Sequence, residues 1–544
     1  MKRCEIIVLL VVIQTLLSSL MAIDYYFFVQ FSDKHDSPYS TLQPEAYLSS
    51  GAIARRAHFQ IPVDSLDLPV NPSYVNQVQA TGVKIHSQSK WLNGVTIHTA
   101  DSNRIQAIQS LSFVTKTQFT GRMNATPTAP QRSKWAHSTD SYGLATNHTV
   151  QINGNKLHEQ GATGKGILIG VLDGGFKNVN LNPAFDSLRT SGRLIGAVNI
   201  VDPGKDVYLE DAHGSSVLSV MAGRLSGNYN QVYTGSAPDA SYWLLQTEHV
   251  PSEYLFETDF WVRGIEFADS AGVDVINSSL GYTEFDDAGM NFSYSDMNGT
   301  VSRASIAAGI AAKKGIIVCT SAGNSGNLPW KYISSPADAD GIITVGSVDS
   351  NGNASGFSSW GPASDGRIKP EMVANGGSTG IITPEGITSY GRGTSFASPV
   401  IAGFTACYLQ LLYEKKKSFS IEELIHSIIL TTNLRTSPQA QMGYGIPDFA
   451  ALPELAPTHL KQLKSTIEGV NIQLDPAHRI LHLHADDFSS AMSCSLLNLS
   501  GQVILSKSIT STTTELNIDL LPPGIYLLTI RSEKGQLTRK ISLY

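Results

Sequence analysis

Gly393-Thr394-Ser395-Phe396-Ala397-Ser398-Pro399 places a serine where a glycine-bearing turn enters a helix. Pro399 and the apolar run Val400-Ile401-Ala402-Gly403-Phe404 argue for that helix, with the proline in its first turn, where a missing N–H costs nothing. Small residues at a helix N-terminus leave backbone N–H groups pointing outward, ready for a developing negative charge. Alone, Gly-Thr-Ser reads as an ordinary helix cap. Three stretches upstream change its meaning.

The first is Ile167-Leu168-Ile169-Gly170-Val171-Leu172-Asp173-Gly174-Gly175, an apolar run ending in an acid and two glycines. Such a run reads as a parallel strand buried on both faces. Its carboxylate then stands at the strand's carboxyl end, where open α/β sheets place their chemistry. The second is His213-Gly214-Ser215-Ser216-Val217-Leu218-Ser219-Val220-Met221-Ala222-Gly223, a histidine opening a small-residue helix. The third, Ile316-Ile317-Val318-Cys319-Thr320-Ser321-Ala322-Gly323-Asn324-Ser325-Gly326, is another buried strand that runs into an asparagine. Singly, the three polar residues read as a turn acid, a surface histidine and a turn asparagine.

In this order and context, Asp173, His213, Asn324 and Ser395 resemble the subtilisin-like serine proteases, over residues 150–450. An α/β-hydrolase would put its nucleophile first, in a Gly-x-Ser-x-Gly elbow, and Ala397 stands where the second glycine would be. The resemblance implies that Ser395 is the nucleophile, His213 the general base and acid, and Asp173 the residue that orients the imidazole. Asn324 and the Ser395 backbone N–H would then hold the oxyanion. Activity is expected to fall at acidic pH, because His213 must be neutral to act as base. One departure is visible: the family carries Ser or Thr after the catalytic Asp, whereas this chain has Gly174, which removes a hydroxyl near the carboxylate.

The stretch Asp274-Val275-Ile276-Asn277-Ser278-Ser279-Leu280-Gly281 resembles the segment that lends its backbone to an extended peptide substrate in that family. Ser279, Leu280 and Gly281 on one side, with Ser321, Ala322 and Gly323 on the other, would wall the main specificity pocket. An apolar or aromatic side chain before the scissile bond is the family default, and no acid stands among these residues to demand a basic one.

Strand and helix patterns alternate through the core: strands at 240–246, 273–277, 316–320 and 342–347, helices at 256–271 and 302–313. Alternation of this kind predicts an α/β fold, a doubly wound and mostly parallel sheet, for a catalytic domain spanning 151–455. Residues 23–120, opening on the strand pattern Tyr25-Tyr26-Phe27-Phe28-Val29-Gln30-Phe31, read as a small α+β unit. It resembles the propeptides that template folding and inhibit such enzymes until cut; an accessory domain is the plainer reading. Residues 121–150 are polar and turn-rich and read as an exposed linker for processing. From 467 to 544 short alternating strands predict a β-sandwich. Its ending, from Leu520-Leu521-Pro522-Pro523-Gly524 through Arg539-Lys540-Ile541-Ser542-Leu543, resembles the C-terminal sorting domain of type IX secretion in Bacteroidetes.

Met1-Lys2-Arg3 and the apolar stretch at 6–20 read as an export signal, cleaved near Ala22. No other segment is expected to span a bilayer, so the mature chain is read as secreted or cell-surface without a transmembrane anchor. A net charge of −7 over 544 residues argues against nucleic-acid binding. Cys319, Cys407 and Cys494 remain after the signal, too odd a set for a disulfide framework, and Cys319 and Cys407 read as buried small hydrophobes. No cofactor is required. The acidic segment 284–300 has no EF-hand ligand spacing, so calcium, which many relatives bind, is not placed there and a solvated loop is expected. The partners implied are protein or peptide substrates, the chain's own propeptide as inhibitor, and secretion machinery engaging the C-terminal domain. The competing reading is a catalytically silent relative that binds peptides through the same groove, although such a protein has no chemical reason to keep all four polar residues.

Overall fold

Aromatic and β-branched residues at the start of the described chain build a four-stranded antiparallel sheet. Its strands are β1 (Asp24–Phe31), β2 (Lys84–Ser89), β3 (Gly94–Thr99) and β4 (Val114–Met123), ordered β2-β3-β1-β4. The computed structural model describes residues 24–123, 141–226 and 231–452, together with the strands and parts of their connections between 470 and 543. The expected export signal and the residues 124–140 lie outside the described residues. The chain divides into two compact units, 1–454 and 455–544.

The propeptide-like sheet encloses its own core of Val29, Val78, Val95, Ile97 and Ile108. Trp91, in the turn between β2 and β3, belongs to a different core. It is 4% exposed and clusters with Leu172, Leu245, Trp261 and Ile265 of the following domain. Beside it, Glu266 accepts hydrogen bonds from Ser89 Oγ (2.6 Å) and from the backbone N–H groups of Lys90 (2.9 Å) and Trp91 (3.0 Å). One turn further along the same helix (Phe256–Ala271), the fully buried Asp269 side chain takes Arg55 at 2.6 Å, Arg56 at 2.9 Å and Lys90 at 2.6 Å. Burial opposes its charge, yet these three cations hold its carboxyl down to about 2.

The linker expected at 121–150 is shorter than that. Gly121, Arg122 and Met123 continue β4 and pair with β1. Leu144 and Ala145 are buried, and Thr146–Gln151 is a helix whose His148 is fully buried. The polar composition of this stretch hid the few side chains that anchor it.

After a short helical entry come β5 (Leu168–Asp173), β6 (Leu194–Asn199) and the small hairpin β7 (Arg224–Ser226) with β8 (Val232–Thr234). Then follow β9 (Ser241–Gln246), β10 (Val275–Ser278), β11 (Ile317–Ser321), β12 (Ile343–Val348), β13 (Met372–Asn375) and a second small hairpin, β14 (Thr379–Ile382) with β15 (Thr388–Gly391). Seven of them form one sheet, ordered β13-β12-β11-β10-β5-β9-β6, and every pairing in it is parallel. The chain's direction of travel reverses at β5, between β9 and β10. Open sheets bind ligands outside the strand carboxyl ends at such a switch point, and Asp173 is the last residue of β5.

The helix Thr394–Glu414 is long and apolar enough to cross a membrane, unlike the sequence expectation that no such segment follows the export signal. Its apolar window is 89% buried inside the catalytic fold, which explains the composition: it is a core helix. Cys319 and Cys407 are buried free thiols, as read from the sequence, and so is Cys494. The segment 284–300 is less solvated than expected: Met297 is fully buried, Phe285 joins the core, and Tyr294 stacks on Tyr332 at 4.0 Å.

In the second unit, strands Val470–Asp475, Ile480–Ala485 and Thr513–Asn517 form one antiparallel sheet. Met492–Leu497, Val503–Ile509, Gly524–Ser532 and Gly535–Leu543 form another. Leu481, Leu483 and Leu516 of the first share one core with Cys494, Leu496, Leu528 and Ile530 of the second, which makes the unit a β-sandwich.

Candidate active site

Asp173 reaches the end of β5 on a strand buried on both faces, and its side chain is wholly enclosed. His213 opens the helix His213–Ala222, and Gly214 lets that helix seat against the strand end. A Cβ on Gly214 would stand 2.3 Å from the Gly175 carbonyl and 2.9 Å from Asp173 Cβ. At this approach Asp173 Oδ1 lies 2.8 Å from His213 Nδ1 and also accepts the Gly174 N–H at 2.8 Å. Asp173 Oδ2 is buried with no hydrogen-bond partner among the described residues. Burial pushes the Asp173 carboxyl up, against the pull of the neighbouring imidazole. Burial also disfavours charge on His213, but the Asp173 carboxylate outweighs it. With Asp211 and Glu248 adding to that pull, the imidazole is raised to about 9.

Ser395 is the second residue of the helix Thr394–Glu414 and is almost buried. Pro399 is not in the first turn, where the sequence reading put it. As the sixth helical residue it would have donated to the Ser395 carbonyl, and it has no N–H to give. Ser279 Oγ donates to that carbonyl instead, at 2.8 Å, while Ser395 Oγ donates to the Ser279 carbonyl at 3.3 Å. Asn277 extends the chain: its Nδ2 donates to Ser279 Oγ at 3.1 Å and its Oδ1 accepts from Ser398 Oγ at 2.8 Å. The end of β10 is thus tied to the start of the serine helix by reciprocal bonds.

Asn324 follows β11. Its Oδ1 accepts from the Thr394 backbone N–H at 2.9 Å and from Thr394 Oγ1 at 3.0 Å, which assigns the amide orientation. The Nδ2 group has no protein acceptor among the described residues. An atom at the Cβ position of Gly393 would stand 3.7 Å from both Asn324 Nδ2 and the Ser395 backbone N. Asn324 Oδ1 is equally near that position, at 3.7 Å, so the Asn324 amide as a whole and the Ser395 N–H flank one point beside the serine.

The two expected pocket walls leave adjacent strands, since β10 and β11 pair through Ser278 and Thr320. Ser279, Leu280 and Gly281 follow one; Ser321, Ala322 and Gly323 end and follow the other. Ser279 spends its hydroxyl on the serine helix. Ala322 is fully buried with Ile333, Ala337 and Ala363, so only its backbone is left for a ligand. Sequence reasoning missed Ser334. A Cβ on Gly281 would meet Ser334 Oγ at 2.2 Å, and one on Gly323, whose φ is +107°, would meet it at 3.2 Å. That hydroxyl is buried without a partner, at the floor between the two walls. Nothing in its Ser-Ser-Pro context marks it, because only the fold brings it under the glycines.

Glu248, Glu253 and Glu257 place one oxygen each within 4.8 Å of one another, an all-carboxylate set that could hold a hard cation such as calcium. It lies outside the segment 284–300. Burial and mutual repulsion raise Glu248 to about 8 and Glu257 well above the usual carboxylate range, and burial with Asp286 raises Glu253 to about 7. Tyr282 donates its hydroxyl to Glu248.

A parallel sheet with its polar side chains gathered at the switch point defines an α/β protein with a site at the strand carboxyl ends, and comparison with known proteins identifies the family. The model of the subtilase family matches residues 164–445, and the chain belongs to that family. A Peptidase S8 propeptide domain of Bacteroidota matches residues 26–137, and a secretion system C-terminal sorting domain matches 475–543. Subtilisin DY of Bacillus licheniformis is 28% identical over 288 residues, covering 53% of this chain and 91% of its own length. Subtilisin E of Bacillus subtilis (strain 168) is 26% identical over 338 residues, covering 61% and 74%. Among solved structures, MycP1 with its N-terminal propeptide removed gives a TM-score of 0.44 at 22% identity, covering 57% of this chain and 98% of its own. The protein is a secreted or cell-surface serine endopeptidase of the subtilisin type, carrying a propeptide and a sorting domain.

Proposed function

We propose that this endopeptidase works through Asp173, His213 and Ser395, with Asn324 as oxyanion donor, and that it is made as a precursor that shortens itself. The reading rests on one observation above the others: the 2.8 Å bond from His213 Nδ1 to a fully buried Asp173 at the sheet's switch point. That bond fixes the tautomer and leaves Nε2 as the base. As substrate binds, the Ser395 hydroxyl exchanges the Ser279 carbonyl for Nε2, loses its proton there and attacks the scissile carbonyl. The tetrahedral oxyanion takes hydrogen bonds from Asn324 Nδ2 and the Ser395 N–H. His213 then protonates the departing amine, and water repeats the cycle on the acyl-enzyme.

The substrate adds as a strand beside residues 279–281, with the side chain before the scissile bond between that segment and 321–323. A lone serine hydroxyl at the floor, Ser334, suits apolar or small polar side chains and gives a basic one no counter-charge. The propeptide is read as the inhibitor. Its last described strand brings Gly121 against Tyr254 and Phe256, where a Cβ would stand 2.6 Å from Tyr254 Cβ.

Labelling the activated protein with a serine-directed phosphonate and mapping the modified peptide tests the assignment. Modification of Ser395, absent in an Asn324→Ala or His213→Ala protein at equal exposure, is the expected result. Label on any other serine overturns it.

A further inference from the structure

Asp211 lies against the two glycines that follow Asp173, most closely against Gly175. A Cβ on Gly174 would stand 3.5 Å from the Asp211 carboxyl carbon, and one on Gly175 would stand 2.9 Å from the Asp211 backbone N. Asp211 is therefore packed directly against the turn that follows Asp173. Its Oδ1 accepts the His213 backbone N–H at 2.5 Å, and its own carbonyl accepts the Lys177 N–H at 3.0 Å. No lysine or arginine pairs with its carboxylate among the described residues.

We infer that Asp211 is a positioning residue for the reaction: seated against the Gly174-Gly175 turn, it fixes the first turn of the His213 helix and sets a second carboxylate beside the Asp173–His213 pair. The inference rests on His213 being the base. A carboxylate that accepts a first-turn N–H holds a helix end in place and is favoured by the helix dipole. The same carboxylate stabilises the imidazolium that forms as Ser395 attacks, in a site where the low dielectric makes a neighbouring charge count. The titratable groups acting on the imidazole are Asp173 from β5, Asp211 from the turn before its own helix, and Glu248 after β9, whose carboxyl is raised by burial to about 8. The Phe396 ring, 5.7 Å away on the serine helix, adds no charge. Asp211 is the one of the three carboxylates that is also bonded to the His213 backbone.

The test is the pH dependence of kcat/KM for the activated full-length protease on a short peptide. Asp211→Asn keeps an acceptor for the His213 N–H and removes the charge; the acid limb is expected to move down by roughly one unit. Asp211→Glu is expected to restore the limb, and Asp211→Ser supplies a smaller neutral acceptor should the asparagine protein fold poorly. Glu210→Gln, a neighbouring exposed acid whose partner is Lys205 at 3.6 Å, is the control and leaves the limb in place. If Asp211→Asn and Asp211→Ser keep the wild-type limb while His213→Ala is inactive, the inference fails and the triad stands. If His213→Ala retains activity, the triad assignment itself fails.

Discussion

Removing the Asp269 carboxylate is expected to loosen the join between propeptide and catalytic domain more than any exposed charge could. Asp269 is 0% exposed and lies 2.6 Å from Arg55, 2.9 Å from Arg56 and 2.6 Å from Lys90, all contributed by the propeptide. In Asp269→Ala, Arg56 keeps Asp67 at 2.5 Å and Arg55 keeps backbone carbonyls, including Val273 O at 2.6 Å. Lys90 keeps the Ser270 hydroxyl at 2.9 Å and the Trp91 ring at 5.5 Å, with no carboxylate bonded to it among the described residues. Breaking a buried pair in this way costs about 3–5 kcal/mol, because the remaining charge stays desolvated. The exposed pair Lys156–Glu159, at 2.9 Å, is worth about 0–1 kcal/mol and is the natural control. The assay is urea unfolding of the full chain in a Ser395→Ala background, which prevents self-digestion. Fluorescence of the buried Trp91 and Trp261 reports both sides of the join. The pH arm has a definite sign. A carboxyl lowered from 3.8 to about 2 lends stability that is present above its unfolded value and lost as pH falls through the folded one. The gap between wild type and Asp269→Asn should thus hold at neutral pH and close between pH 4 and pH 2. A loss below about 1 kcal/mol for both variants, equal to that of Lys156→Met, refutes the reasoning.

Other outcomes follow from the site. Asn324→Ala should lower kcat by about 100–1,000-fold with little change in KM if, as proposed, its amide is a donor used only in the transition state; an equal rise in KM would assign it to substrate binding. Ser279→Ala leaves the Ser395 carbonyl without the donor that replaces Pro399, at a cost of about 1–3 kcal/mol in unfolding free energy, and lowers kcat through the misplaced nucleophile; unchanged kinetics would count against the link. Deleting residues 467–544 should change where the enzyme is found and leave turnover of a short peptide intact. A loss of that turnover would give the sandwich a catalytic role.

Much of this was legible because local chemistry and global fold agree. The helix Phe256–Ala271 has the bounds expected of it, and the strand that ends at Asp173 announces itself by an apolar run that only a sheet covered on both faces can bury. Other features depend on residues far apart in the chain. Trp91 is a plug in the neighbouring core, which nothing in its local sequence marks, because the β2–β3 turn points out of its own domain. Ser334 becomes a pocket floor only when β10 and β11 lie side by side. Asp211 is two residues from His213 in sequence, but its place against the Gly174-Gly175 turn comes from the way the helix approaches β5. Pro399 misled because a proline near a helix start suggests the first turn, and here a side chain from another strand satisfies the carbonyl it strands. Residues 141–150 misled through composition, their few buried side chains outnumbered by polar ones.

The most direct measurement compares the wild-type precursor with its Ser395→Ala counterpart, following chain length over time and hydrolysis of a protein substrate. Wild type should shorten itself at a rate independent of concentration and then digest the substrate, while the alanine protein stays full length, folded and inert. Equal shortening and equal hydrolysis by the two proteins would contradict Ser395 as the nucleophile.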